Sequence, residues 1–477
     1  MMPAGRARAA ESDRAAPPPP PPSRLLGSGF EPRLVLETGR WPTPPPERRG
    51  LQFDIDGEYQ LRFWLQSNTP ALRGTRRAEL DTAEARTWLR VTPRAFIGKE
   101  LELIAQADLF VDFDVRWLYA KWSAGRALDV SVGRQPLHVG MGLVFNDGNH
   151  PTLFGDYRGG DRADRLFATF RPGGPGSALE IGLGTELALD EGRVQIADDE
   201  LEVRQVASIA LRRDDVSVAF YGRSLQASLG AGRSRREFLA DVSGRFQAPI
   251  PGKDAYVFGE FEVAHVSGRF DQPRGPEEVT LSATGAAARV GAVATATRRA
   301  ARWGRLVAQL EWGWTSSDSD PFDDELGGFA FDPNHNVGLV LFDQVLRWKT
   351  ERAFADSDGA VFGATYLYPT VVFRPVPQLD LKAGAVLAQT TGDFVRPAAA
   401  GDPSFEGGFI NYDGGDPRHR DLGLELDAGV EYRASFMPTL SLGAQGGVLF
   451  PGRAFADANG DVLDPQYTAI ARFGILF

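Results

Sequence analysis

The sequence predicts an all-β protein that crosses a membrane as an antiparallel up-and-down barrel of about 16 to 18 strands, with 18 favoured. Apolar and polar residues alternate with a period of two through most of the chain after residue 51. No run of about 18 to 20 apolar residues is present, which argues against membrane helices. Turn-forming and aromatic residues are abundant, with 54 Gly, 31 Phe, 9 Trp and 10 Tyr. Together these observations indicate a barrel with many strands and tight turns.

The alternation is clearest in FDIDGEYQLRFWLQS, residues 53 to 67, where the odd positions are mostly apolar and the even positions mostly polar. Similar stretches recur up to YTAIARFGILF, residues 467 to 477. Many run to about 10 to 13 residues, whereas strands of soluble proteins cluster near 5 to 6, so a soluble all-β fold is the weaker interpretation. Aromatic residues near strand ends predict the girdles that lie at membrane interfaces. They are Tyr59, Trp64, Trp312, Trp314, Tyr366, Tyr368, Tyr432 and Tyr467.

The chain divides into two predicted parts. Residues 1–50 form a Pro-rich leader that we expect to be disordered, with a functional tether as the alternative, and residues 51–477 form the barrel. An exported barrel needs a signal peptide, yet the first 30 residues contain no apolar stretch of that length. Either the signal is missing from this version of the chain or the start is misassigned.

Short and long connections are expected to alternate along the barrel. Short turns are predicted at 98–100, 213–215, 375–378 and 437–439, and long loops at 145–164, 316–336, 396–420 and 451–466. Loops of this length are uncommon unless they are functional. We therefore expect the segments 145–164 and 316–354 to fold inward and narrow the pore. Within the second segment, residues 342–354 are the best helix candidate. This helix could plug the lumen or cap its mouth, with ordinary loop structure as the alternative. Its apolar side would carry Phe342, Val345, Leu346, Ala353 and Phe354.

Charged residues on the polar side of the strands predict the pore wall. The predicted pore-lining residues are Glu58, Arg62, Arg86, Arg90, Arg94, Arg134, Glu180, Glu186, Arg204, Arg212, Arg223, Arg245, Glu260, Glu262, Glu425 and Arg472. Three of them, Arg86, Arg90 and Arg94, follow one strand as a ladder that suits carboxylate or phosphate groups, because guanidinium is permanently charged and bidentate. Mutual neutralisation of charges across strands is the alternative.

Other chemistry is sparse in this sequence. The net charge of −11 argues against a nucleic-acid partner, and the absence of Cys excludes disulfides and thiolate metal sites. No catalytic motif is present and the five His are scattered, so we expect neither an enzyme nor a cofactor. One acidic stretch is a weak Ca²⁺ candidate, with a solvated loop as the alternative. It contains Asp318, Asp320, Asp323 and Asp324.

Three stretches carry a family resemblance. VGRQPLHVGMGLVFNDGN at 132–149, GDYRGGDRADRLFATF at 155–170 and FDPNHNVGLVLF at 331–342, with the terminal Phe477, resemble large outer-membrane barrels of Gram-negative bacteria. The nearest kinds are the alginate-export-like and porin-like families and uncharacterised myxobacterial relatives. The resemblance implies an outer-membrane location among bilayer lipid and lipopolysaccharide. It also implies that Tyr467, Phe473 and Phe477 are read by the barrel-assembly machinery.

Two classes of function are consistent with these observations. The first is an open or partly plugged channel for small hydrophilic solutes, with anionic solutes as candidates. The second is a filled barrel with a structural or enzymatic surface role, and a polysaccharide export pore is a further alternative to the diffusion channel. A barrel of about 16 to 18 strands encloses an aqueous lumen, which favours the channel. The oligomeric state is left open by the sequence.

Overall fold

The computed structural model describes most of the chain from residue 50 onward. The described residues are 50–70, 79–110, 113–149, 153–155, 159–174, 177–187, 202–213, 215–228, 234–253, 255–271, 278–294, 305–318, 323–350, 357–376, 378–392, 411–434 and 439–477. Apart from Gly50, the predicted leader lies outside these residues.

Eighteen antiparallel strands form a closed barrel, which confirms the predicted fold class and strand number. In chain order the strands are β1 Leu51–Pro70, β2 Glu79–Ile97, β3 Leu101–Leu109, β4 Asp114–Ala124, β5 Leu128–Pro136, β6 Arg162–Phe170, β7 Leu179–Leu187, β8 Glu202–Arg212, β9 Val216–Ser228, β10 Ser234–Pro249, β11 Ala255–Phe270, β12 Val279–Ala294, β13 Arg305–Thr315, β14 Glu325–Leu326, β15 Ala364–Val376, β16 Leu379–Thr390, β17 Asp421–Arg433, β18 Thr439–Pro451 and β19 Gln466–Leu476. The two-residue β14 lies in a loop and pairs in parallel with β12, so β13 pairs with β15 in the barrel wall.

The side-chain alternation explains why these strands form a membrane barrel. On β7, for example, Leu183 on the outer face is 60% exposed, whereas Glu186 on the inner face is 1% exposed. The same division holds on β11, where Val263 faces outward and Glu262 is buried. A soluble barrel would place its apolar face inside, so this inverted pattern is the one that suits lipid outside and a polar lumen inside.

The connections differ in length at the two ends of the barrel. At one end, which we call the turn end, β2 and β3 are joined by residues 98–100 and β8 and β9 by residues 213–215. At the other, the loop end, long connections span residues 137–161, 316–363, 391–420 and 452–465. The four predicted short turns lie at the turn end and the four predicted long loops at the loop end, although the first long loop begins eight residues earlier than predicted. The alternation is not strict, because residues 295–304 form a longer connection at the turn end and residues 110–113 a short one at the loop end.

The last strand closes the barrel by pairing with both β18 and β1. The Phe477 N–H donates to the Gly57 carbonyl at 3.0 Å, and the Gly57 N–H donates to the Phe477 carbonyl at 2.9 Å. Because Gly57 has no side chain, the Phe477 ring lies directly over it, in space that a Cβ atom would occupy. Tyr467 and Phe477 are exposed on the outer face. Their role as an assembly signal, together with Phe473, stays a prediction.

The predicted aromatic girdle is wrong at three positions. Trp312 and Tyr432 are exposed on the outer face, as expected, but Trp64, Tyr366 and Tyr368 point into the barrel. The Trp64 Nε1–H donates to the Thr468 hydroxyl at 3.2 Å, and the Tyr366 hydroxyl donates to Glu311 at 2.7 Å. These aromatics lie inside because the lumen contains folded loops for them to pack against.

The predicted helix at 342–354 is present over its first part. A helix runs from Leu341 to Thr350, as a π-helix over Leu341–Leu346 and an α-helix over Arg347–Thr350. Phe342, Val345 and Leu346 are buried on one side, as predicted, whereas the positions 353 and 354 lie outside the described residues. Among the described residues, no helix has the length and apolar character that a membrane crossing requires.

Candidate functional site

Nearly all the predicted pore-lining residues lie on the lumen face of the wall. Glu58 on β1 lies directly opposite Arg90 on β2, and both side chains are buried. The predicted residues on this face are Glu58, Arg62, Arg86, Arg90, Arg94, Glu180, Glu186, Arg204, Arg212, Arg223, Arg245, Glu260, Glu262, Glu425 and Arg472. Their part in solute passage stays a prediction.

Arg134 is the exception, and its predicted place in the lumen is wrong. It lies on the same face of β5 as Val132, which is 55% exposed on the outer surface. The inner face of β5 is formed instead by Ser131 and Gln135, which hydrogen bond to each other at 2.8 Å. Arg134 pairs with Asp164 of β6, with 2.9 Å between Nη2 and Oδ2. This pair therefore lies on the outer side of the wall near the loop end.

Most of the lumen arginines are paired with carboxylates. Arg90 donates two hydrogen bonds to Asp108, at 2.6 and 2.7 Å. Further pairs are Arg86 with Glu84, Arg94 with Asp56, Arg204 with Glu202, Arg212 with Glu180 and Arg245 with Glu260. The alternative interpretation, mutual neutralisation across strands, thus describes Arg90 and Arg94 of the predicted ladder, whereas Arg86 pairs with Glu84 of its own strand.

Three arginines form a row across β19, β1 and β2, and one of them is Arg86, which pairs with Glu84. Arg62 lies directly opposite Arg472 on one side and Arg86 on the other, all on the lumen face. The Arg62 guanidinium also lies 5.2 Å from the centre of the Trp64 ring. Like charges directly opposite one another on a sheet are unfavourable. The row therefore places three guanidinium groups side by side on the lumen face.

Arg223 on β9 contributes a further positive charge. Within the part of the chain that the structure describes, it has neither an ion pair nor a hydrogen bond, and its guanidinium lies 4.5 Å above the Phe145 ring. Arg204, Glu186 and Asp161 are its charged neighbours. This guanidinium therefore keeps donors for a solute group.

Residues 137–161 are called the first inner loop here, and their described part, 137–149, 153–155 and 159–161, lies in the lumen. The Glu262 carboxylate on β11 accepts hydrogen bonds from the N–H groups of Met141, Gly142 and Leu143, the last two at 3.0 and 3.1 Å. Gly140, immediately before them, has a φ of +55°, and a Cβ there would overlap the Glu262 carboxylate. This glutamate therefore anchors the first inner loop to the wall.

The tip of the first inner loop reaches the opposite side of the barrel. Its carbonyls accept hydrogen bonds from three wall side chains: Lys382 to Leu153 at 3.3 Å, Gln445 to Phe154 at 3.0 Å and Arg472 to Gly155 at 3.4 Å. The Phe154 ring lies over Gly384 and Gly429, where a Cβ would come within 3.2 and 3.4 Å of it. The loop thus spans the lumen from β5 and β6 to β16–β19.

The second inner loop, residues 323–350, is anchored in the same manner. The Glu425 carboxylate on β17 accepts the N–H groups of Leu339, Val340 and Leu341, the last two at 2.7 Å. Gly338 before them has a φ of +76° and lies against the carboxylate. The helix at 341–350 then packs its apolar side in the barrel core, and Gln344 donates to Thr468 on β19 at 3.1 Å.

The two inner loops also contact each other. The Asp332 N–H donates to the Leu143 carbonyl at 2.6 Å, and the Asn334 side chain donates to the Gly159 carbonyl at 3.3 Å. The Asp332 carboxyl contacts that of Asp161. The described parts of the two loops therefore lie together across the lumen, which confirms for these residues the expectation that the segments 145–164 and 316–354 fold inward. That they narrow a solute path stays a prediction.

The weak calcium candidate is only partly described. Asp318, Asp323 and Asp324 lie within the described residues, and Asp320 does not. In the described ranges no three His, Cys, Asp or Glu side chains are grouped as a metal ion would require.

Comparisons with known proteins agree with the architecture. No family model and no curated protein matches the chain. Among solved structures, the chain is similar to Pseudomonas aeruginosa OpdQ, with a TM-score of 0.52, 10% identity and coverage of 89% of this chain and 97% of that one. It is also similar to Acinetobacter baumannii OccAB1, with a TM-score of 0.50, 12% identity and coverage of 89% and 96%. At these identities the likeness shows the barrel fold.

Proposed function

We propose that the chain is a porin-like channel of a Gram-negative outer membrane, through which small hydrophilic solutes diffuse. The observation that carries this proposal is the closed barrel with an apolar outer face, a charged inner wall and two inner loops that narrow the lumen. A barrel of about 16 to 18 strands encloses more space than its own side chains fill. Loops attached to the wall are a means of reducing that space to the size of a solute.

Anionic solutes are the class that the wall favours. The row of Arg472, Arg62 and Arg86 lies on the lumen face beside the tip of the first inner loop. Arg223 adds an unpaired guanidinium on the other side of that loop, within the described residues. Guanidinium groups bind carboxylate and phosphate groups through two parallel hydrogen bonds. Carboxylates offset the charge of most other lumen arginines, and Glu84 offsets part of the charge of Arg86.

The test is conductance in planar lipid bilayers, with the reversal potential in a salt gradient. We expect open channels whose anion permeability exceeds that for cations. Deleting residues 318–330 should raise the conductance, because residues 323–330 belong to the second inner loop. Deleting residues 458–460, an exposed turn at the loop end, is the matched control and should leave it unchanged. Equal conductance in the wild type and the first deletion, with that loop open to added protease, would contradict the constriction.

The alternatives predict different outcomes in the same experiment. A filled barrel with a structural or enzymatic surface role would give no channels, and a polysaccharide export pore would conduct but be blocked by a long polyanion added from one side. The alginate-export-like relationship and the myxobacterial origin stay predictions from sequence resemblance.

A further inference from the structure

Three pairs of carboxylic side chains are buried where the inner loops attach to the wall or to each other. The pairs are Asp241 with Glu262, Asp427 with Glu425, and Asp161 with Asp332. Within each pair the two carboxyl groups lie beside each other, close enough to share a hydrogen bond if one of them carries a proton. Carboxyl groups that meet away from water are the arrangement found in acidic dyads, where one proton is held between two oxygens.

The first pair joins β10 and β11 beneath the first inner loop. Asp241 and Glu262 are both fully buried. Glu262 accepts the three loop N–H groups already described, whereas no N–H or O–H group in the described residues donates to either oxygen of Asp241. Two ionised carboxylates in contact in such a place would repel each other strongly. A proton between them removes that repulsion and supplies Asp241 with its hydrogen bond.

The second pair repeats this arrangement under the second inner loop. Glu425 holds three loop N–H groups, and Asp427, two residues along β17, has no donor to either oxygen among the described residues. Gly447 of β18 packs directly against Asp427, and a Cβ at position 447 would overlap the Asp427 carboxyl group. Position 447 therefore offers no side chain that could donate a hydrogen bond to Asp427. From β15, Tyr368 is the titratable group that faces this pair.

The third pair lies between the two inner loops. Asp161 ends the first inner loop and Asp332 lies in the second. Burial, followed by the charge of Asp332, raises the pKa of Asp161 well above its usual value, and burial also raises the pKa of Asp332. The charged or titratable neighbours are Arg223 from β9, which favours ionisation of Asp161, and His138 from the first inner loop, which favours ionisation of Asp332.

We propose that the three pairs are proton-binding sites, each holding one shared proton, and that these protons fasten both inner loops across the lumen, so that their loss at alkaline pH widens the channel. The effect on conductance rests on the proposed function, whereas proton binding itself does not.

Whether the channel widens in acid or in alkali depends on the protonation state in which the two carboxyl groups of a pair can remain in contact. A carboxyl whose pKa is raised in the folded state stabilises that state at low pH, and this contribution is lost as the pH rises through the folded-state value. The contact between Asp161 and Asp332 is therefore strongest in acid. Removing its proton places two negative charges side by side, and the repulsion is relieved when the loops separate or water enters.

The experiment measures the conductance of the full-length protein in planar bilayers from about pH 5 to about pH 9. It compares the wild type with a triple variant that carries Asp161→Asn, Asp241→Asn and Asp427→Asn. An asparagine NH₂ group donates to the neighbouring carboxylate at every pH and has no proton to lose in this range. We expect the wild-type conductance to rise by about twofold or more across the range. The triple variant should keep the acid value throughout.

Infrared spectroscopy of the same samples provides a readout independent of conduction. The wild type should show the carbonyl band of protonated carboxylic acid at neutral pH, and this band should weaken in alkali and in the triple variant. The three single variants are measured as well, each with a partly flattened response, so that the test stands if the triple variant fails to fold. Asp164→Asn is the control, because that carboxylate pairs with Arg134 on the outer side of the wall.

Several outcomes would overturn the proposal. One is a wild-type conductance that is measurable but independent of pH, and another is a triple variant that keeps the wild-type pH response. A third is a conductance that changes with added Ca²⁺ and chelator at constant pH, because this would indicate a bridging cation instead of a proton. Absence of channels at every pH, together with an infrared band that titrates, would support the proton sites and contradict the proposed function.

Discussion

The first and second inner loops are fastened to different parts of the wall by the same local structure. Each contains the pattern Val-Gly-x-x-Leu, at 139–143 and at 337–341. In both, the glycine adopts a left-handed conformation and the next three N–H groups converge on one glutamate, Glu262 in the first and Glu425 in the second. Successive N–H groups in such a turn form a concave site for an anion. The anchors are thus equivalent although the loops are not.

The two loops take different courses after their anchors. In its described residues the first continues without a helix, and polar wall side chains donate to the carbonyls of Leu153, Phe154 and Gly155 at its tip. The second turns at once into the helix 341–350, which is held mainly by apolar packing. We infer that the second loop acts as a fixed apolar filling and that the first borders the polar path. If this comparison holds, equivalent substitutions in the two loops should have unequal effects.

The largest effect is expected from removing the anchoring glutamates. Glu425→Ala and Glu262→Ala each leave three backbone N–H groups without their acceptor, and a buried unsatisfied group costs about 1 to 3 kcal/mol. The loss should be greater for Glu425, because Leu339, Val340 and Leu341 are all buried, whereas Met141 is only partly so. The measurement is the free energy of unfolding in urea, with the rate at which protease cuts each loop.

Glu278→Ala is the control for these two variants, because Glu278 is an exposed glutamate paired with Arg269. It should change the free energy of unfolding by less than about 0.5 kcal/mol. Equal losses of unfolding free energy for Glu262→Ala and Glu425→Ala would contradict this order. They would show that water reaches the N–H groups at Glu262 no more easily than those at Glu425.

A smaller loss is expected from the anchoring glycines. Gly140 and Gly338 have φ values of +55° and +76°, and Gly252, in a turn at the turn end, has +69° with no atom near its missing Cβ. A left-handed backbone conformation costs a residue with a Cβ atom about 1 to 2 kcal/mol. Substitution by Ala carries this cost at all three positions. Gly140→Ala and Gly338→Ala should exceed Gly252→Ala, since their Cβ atoms also displace the carboxylate. A cost equal to that of the control would mean that the anchor tolerates the methyl group.

The sequence predicted the barrel because strand alternation is a local property. Period-two patterns such as that of residues 53 to 67 place apolar side chains on one face whatever the rest of the chain does. The inward folding of the long loops was also predictable from their length. The anchors were not, although both Val-Gly-x-x-Leu stretches were visible, because Glu262 lies about 120 residues after the turn that it holds and Glu425 about 85 residues after its own.

The errors at single positions have two different causes. For Arg134 the signal was available, since Val130 and Val132 have the same parity and are typical of an outer face. For Tyr366 and Tyr368 it was not, because residues of both parities are apolar around them. Only the presence of the inner loops, with the Phe342 ring 6.1 Å from that of Tyr366, explains aromatic side chains on the lumen face.

A pair of matched glutamines should sharpen the comparison between the loops. Gln445 donates to the Phe154 carbonyl of the first loop, and Gln344 of the second loop donates to Thr468. Gln445→Met leaves a buried carbonyl without that donor and should cost about 1 kcal/mol. Gln344→Met should cost less, because the Thr468 hydroxyl still accepts from Trp64 and the new side chain joins an apolar cluster. Urea unfolding of both variants tests this order, and a larger loss for Gln344→Met would reverse the assignment of polar and apolar loops.

The smallest effect on stability, with a clear effect on conduction, is expected at Arg472. Its Nη2 lies 3.4 Å from the Gly155 carbonyl, so Arg472→Gln keeps a donor near the tip of the first inner loop while removing the charge. The free energy of unfolding should change by less than about 0.5 kcal/mol. The ratio of anion to cation permeability should fall, most clearly in dilute salt, where screening is weakest. Arg472→Lys keeps the charge and should keep the wild-type reversal potential. If Arg472→Gln also keeps it, the solute path does not pass the row that Arg472 forms with Arg62 and Arg86, and the first inner loop borders no more of the path than the second.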